Sequence, residues 1–119
     1  MELPRLMRIA EGEVQRLLGS LPPRVQQAVE SCRIEVVEGM AGGAEEALGW
    51  FEGCSLLEDA DGQASLEALP RIELHVASLW EHSGRRVKAF RQEVRVTLWH
   101  EIGHFLGLDE EEVAAMGLR

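Results

Sequence analysis

No part of this 119-residue sequence is apolar for long, basic residues are few beside acidic ones (12 against 21), tyrosine is missing altogether, and there are only two cysteines. Each shortage removes a class of protein. A helix crossing a bilayer needs about 20 apolar residues in a row, and no run approaches that length. The opening "MELPRLMRIAEGE" lacks the apolar core and small-residue cleavage site of a signal peptide, so a cytoplasmic protein is expected. A formal net charge of −9 without a basic stripe argues against a nucleic-acid partner, and no feature suggests a membrane surface. Cys32 and Cys54 are too few and too far apart for a disulfide framework, and no C-x-x-C pair suggests a structural metal, so both read as buried thiols.

The apolar fraction of 45% and the charged fraction of 28% are those of a globular chain. The length suits one domain over residues 1–119, and no internal repeat or low-complexity segment appears. Leu3, Leu6, Ala10, Val14, Leu17 and Leu18 recur at helical steps, and Gly19 is placed to end that helix. Val25, Ala28, Val29 and Cys32 predict a shorter second helix after the two prolines of "SLPP". "RIEVV" (33–37) is β-branched and predicts a strand. The glycine-rich stretch 38–69 predicts loops with a short helix around "AEEALGWF" (44–51). "RIELHVASLW" (71–80) alternates Ile72, Leu74 and Val76 against Glu73, His75 and Ala77, as a strand with one buried face does. Val87, Phe90, Val94, Leu98, Ile102 and Phe105 then mark a long helix ending near Gly107. Trp50, Phe51, Trp80 and Trp99 read as core or rim residues.

That last helix carries "HEIGH". Residues four apart lie one above the other, so His100 and His104 share a side, away from Val94, Leu98, Ile102 and Phe105. Two neutral imidazoles at this spacing suit zinc, and Glu101 beside the first can take a proton from a water activated by the metal. The plainer alternative is a pair of solvent-facing histidines. It leaves Gly107 unexplained: a helix ending there turns the chain back toward the two rings, and the acids Asp109, Glu110, Glu111 and Glu112 follow. Asp109 suits the N-cap of a short helix over "EEEVAAM", with Glu112 at capping-box spacing. Capping thus leaves Glu110 as the favoured third ligand, with Asp109 as the alternative.

"HEIGHFLGLDEEE" resembles the zincin metallopeptidase motif H-E-x-x-H-x-x-G-x-x-(H or D), with Glu110 in the third-ligand position where the family has histidine or aspartate. Over the whole chain, "LPPRVQQAVESCRIEVVEG", "ALGWFEG", "LPRIELH" and "VTLWHEIGHFLGLDEEEVAAMGL" resemble a small bacterial family of minimal, single-domain zincin-like proteins. The resemblance implies an α+β, zincin-like fold: a small mixed β-sheet packed against the long HExxH-bearing helix, with N-terminal helices and a short C-terminal helix. It implies a zinc-dependent hydrolase acting on a peptide or unstructured protein, with "RIELHVASLW" as the edge strand that binds substrate. Such peptidases add a second donor for the oxyanion, often Tyr or His. Without tyrosine, His75 is the first candidate here, ahead of His82, Arg71 and Arg85, although a histidine alternating out of a strand is ordinarily just solvated. Met116 invites comparison with the methionine beneath the metal in related enzymes, but its helical spacing reads as core. A metal-binding or peptide-binding domain with weak or no catalysis is the competing expectation, favoured by the missing tyrosine and opposed by Glu101. The sequence sets no oligomeric state.

Overall fold

The computed structural model describes residues 2–39, 48–52, 70–108 and 111, with side chains undescribed at 50–52. Helix α1 (Leu3–Ser20) buries Leu6, Ala10, Val14 and Leu17, the predicted stripe. Pro4 sits in its first turn, where a missing N–H breaks no helical bond. The helix runs one residue past Gly19, because Ser20 stays in helical register and its Oγ donates to the Leu17 carbonyl at 2.8 Å. Helix α2 (Pro23–Val29) follows, and the Gln26 amide donates to the Leu21 carbonyl at 2.8 Å to fix the corner.

Strand β1 (Arg33–Val37) pairs in parallel with β3 (Arg71–His75), and β2 (Gly49–Glu52) pairs antiparallel with the other side of β3. The order β1-β3-β2 makes a mixed three-stranded sheet. The fold is therefore the expected α+β class, but β3 is central rather than an edge. Both of its sides carry strand partners, so a peptide cannot add to it. Alternation puts Ile72 and Leu74 on one face, fully buried under the helices. On the other face charges pair within and between strands: Arg71 of β3 lies 3.6 Å from Glu35 of β1 and 3.3 Å from Glu73 of its own strand, and Arg33 lies 3.0 Å from Glu35 within β1.

Two local expectations are corrected. The strand predicted over 71–80 ends at His75, and helix α3 (Val76–His82) replaces its second half. Val76 and Leu79, three apart, both reach zero exposure, which a helical turn achieves and a strand's alternation would not. The helix predicted over 44–51 is met at 49–51 by β2, where the aromatic pair Trp50 and Phe51 favours strand; 44–47 lie outside the described residues. Outside them too are Cys54, Met116 and the expected C-terminal helix.

Helix α4 (Val87–Leu106) packs on β2, β3, α1 and α3, with Phe90, Val94, Leu98, Ile102 and Phe105 at zero exposure. Each such side chain contributes about 1.5–3 kcal/mol by leaving water. Trp99 is buried beside them, and half-buried Trp80 meets Phe90 edge-on at 5.6 Å. No described helix is long and apolar enough to cross a membrane.

Cys32 is buried between α2 and β1, and desolvation pushes its thiol up to about 11. The proton is held more tightly in the fold than in the open chain. Its stabilising contribution is complete below about pH 9 and is lost as pH rises through about 11. At pH 8 the thiolate is scarce, so iodoacetamide should leave Cys32 of a Cys54→Ser variant unmodified until denaturant unfolds it. Alkylation at a free-thiol rate in native buffer would contradict this burial.

Candidate metal centre

The apolar face of α4 fixes which way its other residues point. His100 and His104 emerge partly exposed, while Glu101 between them is only 7% exposed. Their rings meet edge-on with centroids 4.5 Å apart, and one donor atom from each of His100, Glu101 and His104 lies within 4.8 Å of the others. These are the three motif residues predicted to act together.

A carboxylate can only accept, so the 3.2 Å contact between Glu101 Oε1 and His104 Nδ1 makes that nitrogen the proton carrier. His104 Nε2 then keeps the lone pair that a metal needs. Zinc bonds to imidazole of about 2.0–2.1 Å place two donors about 3.4 Å apart at a tetrahedral angle, to be compared with the 4.8 Å within which the donors of the cluster lie. Two imidazoles on successive turns of one helix fit two ligand positions of a zinc site, with the Glu101 carboxylate beside them.

Beyond the motif the chain stops its helix at Gly107, which adopts φ 83°. The Gly107 N–H donates to the His104 carbonyl at 3.0 Å and the Leu108 N–H to the Gly103 carbonyl at 2.9 Å. This pair of bonds is a Schellman cap, and half-buried Leu108 packs on the core beside it. The predicted helix end at Gly107 is therefore present, while the path of the chain back toward the rings lies outside the described residues. Asp109 and Glu110, the expected third ligands, lie outside the described residues, and exposed Glu111 is not one of the three residues whose donors cluster.

His75 ends β3, buried rather than solvated at 8% exposure, with Nε2 3.3 Å from Glu73 Oε1. It is not one of the three residues whose donors cluster. Gly39, just after β1, adopts φ 62° and crosses His75 so near that an added Cβ would lie 2.4 Å from the His75 Cβ. His82 pairs loosely with Glu93 of α4 at 3.7 Å, and Arg85 holds Glu81 of α3 at 2.7 Å, so both have partners elsewhere.

Sequence reasoning missed the contact between β2 and the motif helix. A Cβ on Gly49 would lie 3.0 Å from the Thr97 Cγ2 and 2.7 Å from the Glu73 carbonyl. Thr97 is one helical turn before Glu101, so β2 starts beside the turn that leads into the motif. The signal available was Gly49 directly before two strand-favouring aromatics.

Among known protein families, the zincin-like metallopeptidases match residues 24–118, a span that covers the motif, all three strands and most of the chain. No curated protein matches the chain.

Proposed function

The chain belongs to the zincin-like metallopeptidase family, and from that premise we propose that it is a zinc-dependent hydrolase of peptide bonds. The observation that supports this reading best is the cluster of His100, Glu101 and His104 donors, with the carboxylate nearly buried between the rings. His100, His104 and a carboxylate from Glu110, or else Asp109, would hold the ion. Zinc in such a site supplies Lewis acidity, making water acidic near neutral pH and polarising a carbonyl. The chain's own residues do the rest.

Glu101 takes a proton from the attacking water and returns it to the departing amine. The His104 Nδ1–H gives Glu101 Oε1 a fixed hydrogen bond, which holds the carboxylate in position before substrate arrives. The substrate peptide adds to β2, an edge strand that pairs only with β3 among the described residues and lies against α4 at Thr97. His75 is the chain's candidate donor to the oxyanion, and its hydrogen bond to Glu73 fixes the ring.

The absence of tyrosine supports a second reading, a zincin scaffold that binds metal and peptide with weak or no turnover. Zinc titration into metal-free protein tests the part common to both. One ion per chain should bind to wild type. Glu110→Ala should weaken binding about tenfold or more, as expected for loss of a direct ligand, while Asp109→Ala should mainly cost about 1 kcal/mol of stability through loss of a cap. The opposite ranking would make Asp109 the ligand, and no binding to wild type would remove the zinc site.

A further inference from the structure

On α1, Arg5, Arg8, Gly12 and Arg16 succeed one another at three- and four-residue steps along one helix face. Arg91 of α4 closes over this face, and together they line a cleft of about 330 Å³ with Glu13 at its inner wall. Four guanidiniums thus face a single carboxylate, in a protein whose net charge is −9. Glu13, only 3% exposed, takes Arg16 at 2.9 Å; Arg91 and Arg95 stop 3.9 Å away. The Arg95 Nε is buried with no hydrogen-bond partner. Among the described residues, Arg5 and Arg8 make no ion pair.

We propose that the cleft between α1 and α4, lined by Arg5, Arg8, Arg16 and Arg91, binds a compact, multiply charged small-molecule oxyanion. Four guanidiniums that share one carboxylate repel, and an oxyanion relieves that repulsion while accepting from guanidinium forks, which match phosphate and carboxylate geometry bidentately. The volume lies at the small end of ligand pockets. A long polyanion gains from the same arginines but meets the negative field of the rest of the molecule, which a compact ligand seated in the cleft largely escapes. Gly12 supplies the room: a Cβ built there meets nothing within 4 Å. The cleft is built by α1 and α4 arginines and uses none of His100, Glu101 and His104.

Calorimetric titration of the metal-free, full-length protein with pyrophosphate and with citrate, at 0.15 M salt, tests the assignment. Saturable one-to-one binding is expected, with the tighter of the two identifying phosphoryl or carboxylate as the preferred chemistry. Arg5→Gln/Arg8→Gln should weaken it at least tenfold. Gly12→Leu, which keeps every arginine and fills the space, should weaken it comparably, while Arg33→Gln, on the outer sheet face, should leave it within twofold. Binding that is non-saturable, or equal in the cleft variants and wild type, would overturn the site. An oligoglutamate peptide or a single-stranded oligonucleotide binding at least tenfold tighter than both compact anions would overturn the ligand class in favour of an acidic segment or a nucleic acid.

Discussion

Replacing Glu101 by Gln should lower hydrolysis of a peptide library about 10²- to 10⁴-fold while zinc affinity stays within about tenfold of wild type. Gln keeps the size of the side chain and an oxygen that accepts from His104 Nδ1, so the ring orientation seen at 3.2 Å survives. What it loses is the capacity to take a proton. Because each tenfold in rate is about 1.4 kcal/mol of barrier, the change corresponds to about 3–6 kcal/mol of lost transition-state stabilisation without a matching loss in ion binding. Measuring kcat/KM and zinc affinity on the same preparation separates the two effects. Turnover equal to wild type would remove Glu101 as the base. If wild type binds zinc yet turns over no more than the variant, the scaffold reading of the family is favoured.

Gly39→Ala should be the most destabilising small substitution in the described part of the chain, at about 3 kcal/mol. Two causes add. A left-handed backbone costs an L-residue about 1–2 kcal/mol, and forcing a methyl into filled space typically costs about 1–3 kcal/mol. The obstacle is the Cα and Cβ of His75, at 2.6 and 2.4 Å from the new methyl, and these belong to the central strand and cannot rotate away. Gly84→Ala provides the control, since Gly84 also has positive φ, at 74°, but open space around it. Denaturant unfolding of the pair therefore isolates the contact: Gly84→Ala should lose only the backbone share. Equal losses in the two variants would show that His75 yields, and that Gly39 does not hold it in place.

What could be read from the sequence divides by range. α1, α2 and α4 were legible because Leu6 to Leu17, Val25 to Val29 and Phe90 to Phe105 repeat at spacings a single helix must satisfy by itself. The motif cluster was legible for the same reason, as His100, Glu101 and His104 need only one helix to meet. The order of the strands was not, since the parallel match of Arg33–Val37 with Arg71–His75 depends on pairing between distant segments. β3 looked like an edge because alternation shows that one face is buried and says nothing about neighbours on either side. His75 looked solvated for the same reason: Gly39, which crosses it, lies 36 positions away. The arginine cleft needed both kinds of information. Its three α1 arginines stand at helical spacing in the sequence, too few to read as a stripe by themselves, and Arg91 joins them only once α1 packs against α4.

The two motif histidines stand on successive turns of a helix whose opposite face fills much of the core, and this would tie a bound ion to the folding equilibrium. A ligand that binds only the folded chain stabilises it by about 2.7 kcal/mol when its concentration is a hundred times its Kd. α4 touches α1, α3, β2 and β3, so releasing the ion by melting this helix would dismantle the core with it. The gain is consequently shared by the whole cooperative unit. Metal supply would then act on the lifetime of the folded protein as well as on its chemistry, setting how much of the chain escapes degradation when the ion is scarce.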